Sequence, residues 1–134
     1  SNGREIFPGV WVEGECGIDK AARLDGPLLL GSGTVVEPGA VLEGPAVFGK
    51  GCRIASGARV SGAVLWDNVQ VGMGSTISGC VVGEGVVVER DVVLKEGCLI
   101  ADGVVIGTGN CLGNGTVLSP GRHIKPISIR SSEL

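Results

Sequence analysis

Residues 86–106 read Val86-Val87-Val88-Glu89-Arg90-Asp91-Val92-Val93-Leu94-Lys95-Glu96-Gly97-Cys98-Leu99-Ile100-Ala101-Asp102-Gly103-Val104-Val105-Ile106. An aliphatic residue returns every six positions, at Val88, Leu94, Ile100 and Ile106. Stepping outward from this stretch extends the series to Ile18, Leu24, Leu30, Val36, Leu42, Phe48, Ile54, Val60, then Leu65, Val71, Ile77, then Val82, and onward to Leu112, Leu118 and Ile124. Only two steps are five residues long. They fall in Val60-Ser61-Gly62-Ala63-Val64 and Ile77-Ser78-Gly79-Cys80-Val81, which resemble each other.

A second position keeps the same frame. Two residues before each anchor stands a small or β-branched residue, as at Ala22, Thr34, Ala40, Ala46, Cys52, Ala58, Ala63, Val69, Ser75, Cys80, Val86, Val92, Cys98, Val104 and Thr116. Residues two apart on a strand share a face, so anchor and slot both point inward. Leu28, Asn110 and Arg122 depart from the rule in size or polarity. A six-residue unit suits one short strand and one corner rather than a helix. Three such sides close a coil of about 18 residues, and successive coils stack as parallel strands ~4.8 Å apart. The series then fills about six coils and a prism roughly 30 Å long. Taking every third anchor gives a column of Ile18, Val36, Ile54, Val71, Val88, Ile106 and Ile124, all β-branched, as like-on-like stacking favours. Glycines fall where corners must, as in Gly31-Ser32-Gly33 and Gly72-Met73-Gly74. The expected organisation is a lead-in and cap over residues 1–17, a β-helix over 18–124 and a tail over 125–134. Ser1 and Asn2 are read as a processing remnant and take no part in the argument.

Composition supports a thin aliphatic interior. The 134 residues include 25 glycines, no tyrosine and only 3% aromatics, yet mean hydropathy is +0.39. The net charge is −3 with both signs dispersed, so no basic stripe invites nucleic acid. No apolar run approaches the ~20 residues that cross a bilayer.

The six-residue units resemble the hexapeptide-repeat family, and the resemblance covers Ile18 to Ile124. It implies a left-handed parallel β-helix, a hand that periodicity does not supply. Gly9-Val10-Trp11-Val12, Ala63-Val64-Leu65-Trp66-Asp67-Asn68-Val69-Gln70-Val71-Gly72 and Cys80-Val81-Val82-Gly83-Glu84-Gly85-Val86 resemble the C-terminal domain of sugar-1-phosphate nucleotidyltransferases, the mannose-1-phosphate guanylyltransferase branch in particular. That likeness implies a larger parent. Its N-terminal domain would hold the nucleotide loop and acidic magnesium ligands and make a nucleotide sugar from a nucleoside triphosphate and a sugar 1-phosphate.

No catalytic, cofactor or metal site is expected in this chain itself. Cys16, Cys52, Cys80 and Cys98 occupy inward slots, and with Cys111 they form no CxxC pair, so reduced thiols in a cytoplasmic protein are expected. His123, the single histidine, falls in the last unit, where the general base of a hexapeptide acyltransferase has no neighbouring loop. Gly107-Thr108-Gly109-Asn110-Cys111-Leu112-Gly113 keeps the repeat frame, so its glycines read as corners rather than as a phosphate cradle. Trp66 follows an inward anchor and should face out, with Gly83 two rows on leaving space beside the ring. Trp66 and Gly83 are therefore the expected contacts of a homo-oligomer, dimer or trimer. Competing functions are an acyltransferase using acyl-CoA and a scaffold subunit without enzymatic parentage.

Overall fold

The computed structural model describes residues 3–128. Ser1, Asn2 and the end of the expected tail, residues 129–134, lie outside them. The chain winds as a parallel β-helix of about six coils, and the described residues contain no helix. Short strands stack into walls of eight, seven and six strands, each pairing with the strand one coil before and after it.

The anchors fall where the six-residue frame puts them. The seven-stranded wall stacks Ile18 on Val36, Ile54, Val71, Val88, Ile106 and Ile124 in unbroken register. The six-stranded wall stacks Leu24, Leu42, Val60, Ile77, Leu94 and Leu112. Anchors in the middle coils are wholly buried, whereas Ile18, Leu24, Leu112 and Ile124 near the ends are half-buried. The two five-residue steps leave this register intact. Ser61-Gly62 and Ser78-Gly79 simply turn a tighter corner, with Gly62 at φ 58° and Gly79 at φ 60°. Asn68 (φ 58°) and Asp91 (φ 54°) take the left-handed corner position elsewhere filled by glycine. Their short polar side chains tolerate it better than other non-glycine residues.

The stack begins earlier than the anchor series. Val10–Glu13 pairs in parallel with Leu28–Leu30, so Val10 and Val12 are core residues of a first coil, both almost fully buried. The expected lead-in over 1–17 therefore divides. Gly3–Phe7 folds back antiparallel onto Val10–Glu13 and covers that edge, and Ile6 packs on the core. Antiparallel pairing stops further parallel growth on this wall.

The inward slots do more than fit. Most slots that carry a polar atom donate it to a corner carbonyl of the next coil; Thr116 donates instead to Gly113 O of its own corner. Thr34 Oγ1 reaches Gly49 O (2.9 Å), Cys52 Sγ reaches Trp66 O (3.1 Å), and Ser75 Oγ reaches Glu89 O (2.6 Å). Cys16, Cys80, Cys98 and Asn110 do likewise, toward Gly31, Lys95, Gly113 and Lys125. Gly31 O and Gly113 O also accept from the Thr34 and Thr116 amides; a corner carbonyl without such a second donor would cost ~1–3 kcal/mol if left unpaired in the interior. Asn110, an exception on size and polarity alone, also donates to Gly107 O of its own corner (2.8 Å) and so bridges that corner to the next at Lys125. Arg122, the other polar exception, is exposed.

Candidate functional site

The walls differ in what they show to solvent. On a strand whose flanking residues point inward, the middle residue faces out. Along the eight-stranded wall the outward residue is Trp11, then Leu29, Val47, Val64, Val81, Leu99 and Val117, each in register with the next. These seven residues, rungs one to seven, form an unbroken apolar column. The seven-stranded wall instead shows Gly17, Val35, Arg53, Gln70, Val87, Val105 and His123, and the six-stranded wall shows Arg23, Val41, Arg59, Thr76, Val93 and Cys111. The ion pairs of the described residues, Arg23–Asp25, Arg53–Glu37 and Arg59–Glu43, belong to those two walls and their corners. Glu43 also accepts from Ser61 Oγ at 2.9 Å, and that bond, with the Arg59 guanidinium, holds its carboxyl below the ordinary value.

Both tryptophans of the chain stand on the apolar wall. Trp11 is 44% exposed and Trp66 59%. Trp11 borders a shallow groove of about 300 Å³ with Pro27, Leu29, Pro45 and Val47. Trp66 borders another of about 270 Å³ with Leu29, Val47, Lys50, Val64 and Asp67. Trp66 faces outward as its place after Leu65 requires, and its amide donates to Val82 O at 2.9 Å.

Gly83 plays a different part from the one its spacing suggested. It stands one coil beyond Trp66, not two, because Leu65 pairs directly with Val82. A Cβ on Gly83 would come within 2.6 Å of Asp102 N and 2.8 Å of Ala101 C. The next coil's corner passes there, which by itself requires a glycine. The tight corner is tied by a carboxylate: Asp102 Oδ1 accepts from Glu84 N at 2.9 Å, as Asp67 Oδ1 accepts from Lys50 N at 2.9 Å two coils earlier.

The remaining candidates stay apart. Cys52, Cys80 and Cys98 are buried, Cys16 is half-buried and Cys111 is exposed, all as free thiols. Burial pushes the thiols of Cys16, Cys52 and Cys80 up. His123 is exposed on the last strand of its wall. In the Gly107–Gly113 run, Gly107 packs under Lys125 and Pro126, where a Cβ would lie 2.7 Å from Lys125 C. Among the described residues no three His, Cys, Asp or Glu side chains gather to hold a metal ion. Among the described residues no helix is long and apolar enough to cross a membrane. Sequence reasoning reached Trp66 but missed Trp11, because it placed Trp11 in the lead-in. The signal was an apolar residue immediately before an anchor in each unit of one wall, repeated without exception.

A prism of this construction defines a hexapeptide-type β-helix protein of the left-handed kind. The chain belongs to the family of EIF2B subunit epsilon LbH domains (left-handed β-helix), whose model matches residues 8–125. The match begins at Pro8, so it includes the first coil at Val10–Glu13. Among solved structures, a proposed acetyltransferase from Bacillus cereus is similar at 22% identity and a TM-score of 0.54, over 85% of this chain and 71% of that one. UDP-N-acetylglucosamine acyltransferase from Arabidopsis is 13% identical with a TM-score of 0.49, over 95% and 67%. The GDP-perosamine N-acetyltransferase of Caulobacter crescentus is 14% identical with a TM-score of 0.41, and this chain spans 52% of its length. The Bacillus likeness shows the shared fold. A comparison with curated protein sequences finds no match.

Proposed function

We propose that this chain is the assembly domain of a sugar-1-phosphate nucleotidyltransferase-like protein, of the mannose-1-phosphate guanylyltransferase-like kind, and that it works by self-association rather than by chemistry. The observation that carries the reading is the unbroken apolar column with both tryptophans on one wall. Exposed tryptophans in apolar grooves are the commonest anchors of protein interfaces. The family supports it, being named for a domain of one subunit of a multisubunit protein. Catalysis on nucleoside triphosphate and sugar 1-phosphate, with magnesium, belongs in this reading to a separate N-terminal domain, and the whole works in the cytoplasm. Light scattering over micromolar concentrations tests it. A homo-oligomer that weakens in Trp66→Ala is expected, and a monomeric wild type would overturn the reading.

A second reading draws on the family's acyltransferase relatives in fold and on His123 as the one imidazole. Acyl transfer from acetyl-CoA that vanishes in His123→Ala would put it in place of the first.

A further inference from the structure

The charged rim of the apolar wall points to one arrangement of two copies. Two residues beyond each anchor of this wall stand Lys50 on rung three, Asp67 on rung four, Glu84 on rung five and Asp102 on rung six. The side chains of Lys50 and Glu84 form no ion pair among the described residues. Two rungs, ~9.6 Å, separate them. Trp66 stands between them, on rung four.

We propose that this wall closes against the same wall of a second copy through a two-fold axis that runs parallel to the strands at rung four, so that the two prisms lie antiparallel. The proposal rests on the assembly reading above and specifies its geometry. Such an axis brings rung one to rung seven, two to six and three to five. Trp11, the bulkiest member of the column, then meets Val117, the most exposed at 66%. Leu29 meets Leu99, Val47 meets Val81, and Val64 meets Val64 of the second copy. The same operation sets each rim on the same rim of the other copy. Lys50 of one copy therefore faces Glu84 of the other, twice, with the two Trp66 rings at the axis. The two Asp67 side chains also come together there. Each carboxylate is turned back onto the Lys50 amide of its own chain, and a Lys50 flanks the pair on either side.

The parallel alternative lacks this match. An axis along the prism would set rung on like rung and each rim on the opposite one. Asp102 of rung six would then face Glu96 of rung six, like on like, and Lys50 would face Gly44. Area also fits a pair. Seven rungs at ~4.8 Å and a side of ~15 Å give roughly 500 Å² of wall per copy, about 1,000 Å² together, at the lower edge of specific interfaces.

Sedimentation equilibrium on the full chain tests the arrangement. Lys50→Glu and Glu84→Lys, both on exposed side chains, should each weaken the dimer at least tenfold by creating two like-charge contacts. The double variant should return to within about threefold of wild type, because the reversed pairs match again. In a Cys111→Ser background, Val64→Cys should form a disulfide-linked dimer on mild oxidation, as only a residue at the axis meets itself. A double variant no tighter than the singles, absence of the Val64→Cys link, or a wild-type trimer would overturn the antiparallel arrangement while leaving self-association in place. A dimer that forms only with an added basic, apolar partner protein would overturn it in favour of a different occupant. A monomeric wild type would overturn the assembly reading itself.

Discussion

Cys98 lies one coil beyond Cys80 in the same inward slot, and burial together with the neighbouring Cys98 thiol pushes the Cys80 thiol up to about 11. Both thiols also donate inward, Cys80 to Lys95 O at 3.2 Å and Cys98 to Gly113 O at 3.4 Å. A protonated, buried thiol is a poor nucleophile. In native protein at neutral pH one thiol, Cys111, should react rapidly with an aromatic disulfide reagent, with Cys16 slower and the other three protected. Denatured, non-reduced protein should titrate five. Three or fewer would mean that disulfides form.

The same shift predicts a pH window. A thiol with an ordinary value of 9.0 that is raised to about 11 in the fold binds its proton more tightly in the native state. Its contribution is fully present below pH 9 and is lost as pH rises to about 11. The chain has no tyrosine, but lysine and thiol side chains ordinarily titrate in the same range, so the comparison with Cys80→Ala is what isolates this group. Urea midpoints should fall between pH 9 and 11 in wild type and fall less in Cys80→Ala. Parallel curves for the two would remove Cys80 from the effect.

Adjacent residues on one strand should differ sharply. Phe48 is buried at 1% exposure while Val47 is 41% exposed on the apolar wall. Phe48→Ala should cost about 3–5 kcal/mol through lost burial and a cavity in a core only one side chain deep. Val47→Ala should cost within about 1 kcal/mol when measured below the concentration at which copies associate. Urea unfolding at submicromolar protein distinguishes the two. Equal losses would mean that the inward and outward faces are misassigned.

Gly83 and Trp66 separate folding from contact. A Cβ at Gly83 would collide with the backbone at Asp102, so Gly83→Ala should destabilise the chain by about 1–3 kcal/mol. Trp66→Ala, at a 59% exposed site, should change monomer stability by about 0.5 kcal/mol or less. A neutral Gly83→Ala would restore the view that the glycine only leaves space for the indole.

The coil was legible because a three-sided prism imposes its period on every residue that points inward. Val88, Leu94 and Ile100 are separated by six because each heads one side. The stacked registers, the tolerance of two five-residue corners and the outward aspect of Trp66 all follow from that frame. One unit was overlooked although the frame carries it: Val12 stands six residues before Ile18, and Val10 fills the slot two before it. Two things were hidden. The antiparallel return of Gly3–Phe7 has no hexapeptide period to betray it. Small residues in the slots read as space-fillers, because sequence shows their size but not the corner carbonyls that face them.

Asn110 tests those hidden carbonyls. Its amide nitrogen donates to Gly107 O at 2.8 Å and Lys125 O at 2.7 Å, and the side chain is 7% exposed. Next to it, Ile127 N donates to Thr108 O at 2.8 Å, so the segment after Ile124 is held at two places close together. In Asn110→Ala, Gly107 O keeps the Asn110 backbone amide at 3.4 Å, while Lys125 O loses the side-chain donor. The expected loss is about 1–3 kcal/mol for the one carbonyl left unpaired. Amide exchange should locate the effect: Ile127, protected in wild type, should exchange faster in the variant, while amides of the middle coils such as Trp66 keep their rates below global unfolding. An Asn110→Ala chain of unchanged stability and unchanged Ile127 protection would show that the slot needs only volume, not a donor.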